Sequence, residues 1–207
     1  MAKKATCGVV KKDPYQYFST WLRNDKTAAA PRDDDMVGGC AIRFFSNWID
    51  DPTRTNMVYS CCEASDVTAL IDSISIKLVM SDKEIYRRIF DESLFTLYIG
   101  DMPIKSIPSS DLANPSTWET LPKNEDGVNS KIMLGKPIFV PPRQCFYVMM
   151  DMTGNLQKLL NYNVPGSHKQ ITVTLNTKRQ RVLSEEEEKE FYKTQEGKKF
   201  KASLPNP

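Results

Sequence analysis

The sequence contains one histidine, His168, and this limits the chemistry that its side chains could perform. Histidine is the commonest general base and a frequent zinc ligand, so a single copy excludes most histidine-based catalysis and most zinc sites. His168 lies in the segment Val-Pro-Gly-Ser-His-Lys, which predicts a turn between two strands. A histidine in a turn is usually solvated, so we expect no catalytic residue and no enzyme activity.

Two acidic clusters are the remaining candidates for a metal site. Carboxylates of the run Asp33-Asp34-Asp35 and the pair Asp50-Asp51 could bind a hard cation. Consecutive aspartates on a loop are more often solvated charge, so we predict no metal and no cofactor. The sequence also lacks a glycine-rich phosphate loop, a nucleophile elbow, a zincin motif and a calcium-binding loop.

The cysteines indicate a reducing compartment. Their number is odd, no Cys-x-x-Cys occurs, and the thiols are predicted to be reduced and partly packed as small apolar residues: Cys7, Cys40, Cys61, Cys62 and Cys145. The only approximation to a glycosylation site, Asn114-Pro115-Ser116, contains the proline that prevents modification. We therefore expect the protein to be made in a reducing cytoplasm.

Aromatic and basic residues suggest two ways of binding nucleic acid. Phe44, Phe45 and Trp48, next to Arg43, could stack on single-stranded bases, although strand aromatics more often fill a core. Basic residues are concentrated near both chain ends, where they could contact nucleic acid or an acidic partner if the ends meet: Lys3, Lys4, Lys11, Lys12, Lys178, Arg179 and Arg181.

The composition is that of one large globular domain, or of a domain with tails. The 207 residues have a net charge of +2, which excludes a strongly basic nucleic-acid binder and an acidic disordered tail protein but permits local patches. The longest apolar run, from Cys145 to Met150, is too short to span a membrane. The basic N-terminus lacks the apolar core of a secretory signal.

Alternating apolar residues predict that most of the chain is β structure. The candidate strands are 41–49, 57–62, 67–80, 94–99, 103–107, 144–152 and 170–182, with two short runs in 131–140 broken at Gly135. The apolar phase shifts around residues 70–72, which predicts a bulge. Residues 108–130 are expected to form a long polar surface loop of the kind that contacts other chains.

Helices are predicted in four places. Asp13 and Pro14 have the residue types of a helix start, and the apolar spacing after them extends it to Asn24. Ser81 and Glu84 form a capping box for a helix to residue 90, and residues 156–160 could form one turn. A second capping box starts a C-terminal helix at Ser184, and Gly197 ends it.

Many short strands with proline-rich turns predict a mainly β, antiparallel sandwich or barrel. We divide the chain into an N-terminal arm with a short helix (1–40), a β domain (41–183) and a C-terminal helix and tail (184–207). Aromatic residues in the polar ends and the long loop are candidate interface residues: Tyr15, Trp21, Trp118, Phe191 and Tyr192.

One family resemblance involves the β domain, over residues 40–183. A strand and a helix precede LFTLYIGDMPIKSIPSSDL, and GKPIFVPPRQCFYVMMDM follows later. This order resembles the jelly-roll modules of icosahedral viral coat proteins, particularly those of bacteriophages. The resemblance implies a β-sandwich of jelly-roll type with extended terminal arms.

The resemblance also implies a function in assembly. It indicates a virion structural protein, whether major coat, vertex or cement protein, whose partners are copies of itself and other virion proteins. Contact between its basic ends and the packaged nucleic acid would be secondary. A nucleic-acid- or carbohydrate-binding β-sandwich module is the alternative.

Overall fold

The computed structural model describes residues 10–24, 37–45, 54–57, 67–112, 128–162 and 167–182, with residues 186, 189, 190, 193 and 194 of the C-terminal segment. Its eight strands are β1 (Val10–Asn24), β2 (Ala41–Phe44), β3 (Val67–Met80), β4 (Ser93–Ile99), β5 (Met102–Pro108), β6 (Val128–Val140), β7 (Phe146–Met152) and β8 (His168–Val182). Two helices, α1 (Lys83–Glu92) and α2 (Gly154–Asn161), and the 3-10 helix Ser109–Leu112 complete the described elements.

The strands form two antiparallel four-stranded sheets. The first sheet has the order β1-β8-β3-β6 and the second the order β2-β7-β4-β5. Four of the pairs are nested in the sequence, because β1 pairs with β8, β2 with β7, β3 with β6 and β4 with β5. The prediction of a mainly β, antiparallel fold is confirmed.

The hydrophobic core lies between the two sheets. Ile171, Val173 and Leu175 of β8 face inward as predicted, and each is fully buried. Aromatic contacts join the sheets, since the ring centroids of Tyr17 in β1 and Phe146 in β7 are 5.4 Å apart. Each such buried side chain contributes about 1.5–3 kcal/mol relative to an exposed one, so the core is the main source of stability.

The predicted helix at residues 13–24 is wrong, because this segment forms β1. It pairs residue for residue with β8, from Val10 opposite Val182 to Asn24 opposite His168. Tyr17, Ser19, Trp21 and Arg23 are buried at every second position, which is the period of a strand. Residues 10–24 therefore belong to the sandwich and not to an arm. Pro14 is compatible with this position because β1 is the outer strand of its sheet.

The bulge predicted near residues 70–72 is confirmed. The register of β3 shifts between Ile71 and Ser73 against both of its neighbours. Residues 134–137 of β6 stand opposite Asp72 alone, and Gly135 within them has a φ of 68°. The predicted break at Gly135 is thus a bulge inside one long strand.

Both helices lie at one end of the sandwich, the helical end, with the 3-10 helix and residues 37–40. The helices are linked where the Thr153 backbone N–H donates to the Glu92 carbonyl over 3.2 Å. The α2 N-cap is Thr153, whose hydroxyl accepts from the Leu156 N–H and donates to the Glu92 carboxylate. The Arg88 guanidinium donates to the same carboxylate over 2.6 Å, and the contacts with Thr153 and Arg88 hold the pKa of Glu92 below its ordinary value.

The capping box predicted at Ser81 is wrong, because Asp82 caps α1 and accepts from the Glu84 N–H over 2.8 Å. The Ser81 hydroxyl instead accepts from the His168 N–H over 2.8 Å and ties β3 to β8. Tyr86 joins α1 to β3, since its hydroxyl accepts from the Met80 N–H over 2.9 Å. Burial raises the pKa of Tyr86.

A buried lysine completes the helical end. Lys169 is 2% exposed, and its ammonium donates to the carbonyls of Leu159, Leu160 and Tyr162 at the C-terminal end of α2. A cation at this position satisfies carbonyls that lack intrahelical partners and interacts favourably with the helix dipole.

The C-terminal helix predicted from Ser184 lies mostly outside the described residues. Glu186, Lys189, Glu190 and Lys193 have helical conformation, and their side chains are exposed. None of the described helices is long and apolar enough to cross a membrane.

Candidate functional site

The predicted basic segments of the two chain ends lie side by side. Antiparallel pairing of β1 with β8 places Lys11 opposite Arg181, Lys12 opposite Gln180 and Pro14 opposite Lys178. We call this region, defined by Lys11, Lys12, Lys178, Arg179 and Arg181, the basic end. Lys3 and Lys4, the other predicted basic contacts, lie outside the described residues.

The side chains of the basic end are not equally available. Lys12 is exposed, whereas the Lys178 ammonium forms an ion pair with Asp72 over 3.2 Å. The guanidinium carbon of Arg179 lies 4.1 Å from the ring centroid of Tyr15, and this cation–π contact packs the side chain against the sheet. Sequence reasoning treated these residues alike. Lys178 is still 59% exposed despite its ion pair, so the surroundings favour Lys12 and Lys178 over Arg179 as contacts for a ligand.

Two of the five aromatic residues predicted at interfaces lie within the described residues. Trp21 is only 5% exposed and belongs to the core, so its predicted exposure is wrong. The reason is that every second side chain of β1 points into the core, and Trp21 is one of them. Tyr15 is partly buried under Arg179. Trp118, Phe191 and Tyr192 lie outside the described residues.

The predicted aromatic platform for bases is not formed by Phe44 and Phe45. These side chains are 1% and 0% exposed and fill the core, and Trp48 lies outside the described residues. Arg43, which is exposed, lies over the Tyr147 ring at 3.8 Å. Tyr147 in turn stacks on Tyr98, with centroids 4.8 Å apart and planes 6° apart. The aromatic surface here is therefore already occupied by an arginine of the same chain.

His168 is the first residue of β8 and does not lie in a turn. Its pairing with Asn24 extends the strand beyond the alternation at residues 170–182. Its Nε2 atom lies 3.4 Å from the Gln170 side-chain oxygen. The acidic clusters at residues 33–35 and 50–51 lie outside the described ranges. Within those ranges, no three His, Cys, Asp or Glu side chains are grouped so that they could hold a metal ion.

The structure reveals a second surface that sequence reasoning missed. Among the described residues, five large apolar side chains are exposed, and four of them lie on β5 and β6: Met102 (67%), Ile104 (41%), Met133 (65%) and Phe139 (53%). Each of these strands is the outer strand of its sheet. We call the surface formed by their outward edges the open side.

The two strands of the open side lie on the same side of the sandwich. Both contact the 3-10 helix Ser109–Leu112. The outer strands on the opposite side, β1 and β2, are joined where the Phe45 N–H donates to the Ser19 hydroxyl over 2.9 Å. The outer edges of β5 and β6 therefore lie on the same flank of the sandwich.

All charged residues within the two strands of the open side are lysines. The sequences MPIKSIP and VNSKIMLGKPIFV contain three lysines and no acidic residue. Lys105, Lys131 and Lys136 are exposed, and none forms an ion pair with another described residue. Lysine, proline and a bulge are typical of edge strands, and this combination was the signal in the sequence that could have identified the surface.

Comparisons with known proteins do not assign the chain to a family. No family model matches the sequence, and no curated protein is significantly similar to it.

Proposed function

We propose that this chain is a virion structural protein, a capsid or capsid-associated subunit that acts by assembling with copies of itself and with other virion proteins. The observation that carries the proposal is the nesting of the strand pairs β1–β8, β2–β7, β3–β6 and β4–β5. A jelly roll consists of eight antiparallel strands in two sheets, and winding one long hairpin into a sandwich produces this nesting. We propose the jelly-roll fold together with this function.

The distribution of exposed groups also supports a role in assembly. The open side leaves two strand edges on one flank, and each of its two strands carries two exposed large apolar side chains. Apolar surface bordered by polar residues is typical of protein–protein contacts. A rigid two-sheet core that presents such a flank suits a subunit that must meet its neighbours in a fixed geometry.

Self-association is the direct test of this function. We expect light scattering after size-exclusion chromatography, at low and at high salt, to give oligomers or larger particles, whose symmetry negative-stain images would then reveal. Removal of residues 1–9 leaves β1 intact and tests the N-terminal arm. Removal of residues 1–24 would also delete β1, so it would not test the arm alone. A chain that stays monomeric at every concentration and does not bind to virus particles would contradict the proposal.

Nucleic-acid binding at the basic end is the second candidate function. Its support is the pairing that brings Lys11 and Lys12 beside Lys178 and Arg181. We expect Lys12→Glu with Lys178→Glu to weaken binding to single-stranded DNA and to lower the salt slope by about 1.4 for two phosphate contacts. Lys83→Glu, at the helical end, is the matched control. Binding that does not change between low and high salt would exclude this function.

A further inference from the structure

We propose that the open side binds the acidic C-terminal segment, residues 184–193, of a neighbouring copy of the chain. The proposal rests on the proposed function in assembly and names the surfaces that make one of its contacts. The open side supplies lysines, apolar side chains and strand edges beside which no other described strand lies, and the segment supplies the complementary charges and aromatic rings.

The open side needs a partner with particular chemistry. The outer edges of β5 and β6 have no further strand beside them among the described residues, so part of their backbone N–H and C=O groups faces outward. Met133 and Phe139 are more than half exposed, with Lys131 and Lys136 nearby in the same strand. A partner that satisfies this surface must combine negative charge with apolar side chains.

Residues 184–193 have this combination. The sequence Ser-Glu-Glu-Glu-Glu-Lys-Glu-Phe-Tyr-Lys contains five glutamates and two lysines, and Phe191 and Tyr192 follow the acidic run. Its net charge of −3 therefore equals in size the charge of the three lysines on the open side. Opposite charges that face each other guide encounter and fix the register of a contact.

A neighbouring copy is the expected source of the segment. Within one copy, Lys131 and Met133 on the open side and Glu186 and Glu190 in the segment are all exposed. These described side chains are therefore accessible to a second copy. Two different surfaces of the same protein that fit each other give a head-to-tail contact, and repetition of such a contact builds a closed ring or an open filament.

Cross-linking of the full chain tests the pairing directly. We would mix chains labelled with nitrogen-14 and nitrogen-15, treat them with a carbodiimide that joins lysine amines to carboxylates in direct contact, and identify the linked peptides by mass spectrometry. We expect links from Lys105, Lys131 or Lys136 to residues 185–190 that contain both isotopes. Links confined to one chain, or links from these lysines to Glu119 or Glu125 instead, would overturn the proposal.

Charge-exchange variants separate pairing from loss of folding. We expect Lys131→Glu with Lys136→Glu to weaken self-association at least tenfold in sedimentation experiments, and addition of Glu186→Lys with Glu190→Lys to restore it. Lys83→Glu with Lys158→Glu, at the helical end, is the matched control and should have no effect. Unchanged association in the first variant would overturn the pairing while self-assembly stood. A wild-type chain that stays monomeric at every concentration would also overturn the pairing, and it would overturn the proposed function as well if it failed to bind to virus particles.

Discussion

The two flanks of the sandwich differ in whether other described residues cover the edge of a sheet. On the flank of β1, residues 54–57 cover the edge, because the Thr20 N–H donates to the Arg54 carbonyl over 2.7 Å and Ser19 pairs with Thr55. The Asn56 side chain accepts from the Phe18 N–H over 2.9 Å and donates to the Gln16 carbonyl over 2.6 Å. The open side has no comparable cover among the described residues.

This difference shows that an exposed edge is not a general property of the fold. The same chain closes one edge with backbone pairing and an asparagine, whereas the described residues of the other edge protect it with lysines, a proline and a bulge. Covering an edge stabilises the single chain, whereas charged side chains along an edge oppose aggregation and leave the edge available to a partner. The open side is therefore the flank on which we expect contacts between subunits.

The largest expected difference between the flanks concerns their aromatic side chains. Trp21 on the covered flank is 5% exposed and Phe139 on the open side is 53% exposed. We expect Trp21→Ala to lower the free energy of unfolding by about 3–5 kcal/mol, since it leaves a cavity in the core. Phe139→Ala should change it by less than about 0.5 kcal/mol. Urea denaturation of the dilute protein measures both, and equal losses would refute the distinction.

A smaller loss of stability is expected when a hydrogen-bonded contact between residues 54–57 and β1 is removed. Asn56→Ala leaves the Phe18 N–H and the Gln16 carbonyl without their partner, which should cost about 1–3 kcal/mol. Lys105→Ala on the open side is the control and should stay within about 0.5 kcal/mol of wild type. The same denaturation experiment applies, and a neutral Asn56→Ala would show that the asparagine does not hold the cover in place.

Hydrogen exchange gives a finer comparison of the two edges. The amides of Phe18 and Thr20, which are bonded to residues 54–56, should exchange at least about tenfold more slowly than the outward-facing amides of β5. If the open side forms subunit contacts, the β5 and β6 amides should become protected when the protein associates. Equal exchange on both flanks of the free subunit would contradict the comparison.

The smallest effect is expected at the helical end, which adjoins both flanks. The folded-state pKa of Glu92 is lowered, mainly by the Thr153 hydroxyl and then by Arg88. The ionised carboxylate therefore stabilises the fold above its ordinary pKa of about 4.5, and this stabilisation is lost as the pH falls through the lowered value. We expect the stability difference between wild type and Glu92→Gln to shrink from about pH 7 to about pH 3. A constant difference would show that the charge is not responsible.

The sequence predicted the elements whose evidence is local. β3, its bulge and the β4–β5 hairpin follow from strict alternation and from a glycine turn, and the cores of α1 and α2 follow from apolar spacing. β1 was missed because Tyr17, Phe18, Trp21 and Leu22 also fit a helix. Its strand conformation depends on pairing with β8, far away in the sequence, and tertiary context overrides local propensity.

The candidate surfaces were predictable only in part. The basic residues of both ends were identified, but their meeting requires the β1–β8 pairing. The exposure of an aromatic residue depends on which face of a sheet it lies on, so Trp21, Phe44 and Phe45 could not be separated from Phe139 by residue type alone. Lysine, proline and a bulge indicate that β5 and β6 are edge strands, but the order of strands in both sheets was needed to place the two edges on the same flank.

The pairing of the first strand with the last has a consequence for biosynthesis. Gln16 and Asn176, which face each other across β1 and β8, are 160 residues apart in the sequence. At typical translation rates, roughly 10–30 s pass between the synthesis of these two strands. During this interval β1 leaves the ribosome without its partner, and its apolar face must avoid other contacts. We therefore expect the nascent chain to depend on chaperones, and the complete chain to fold slowly for its size.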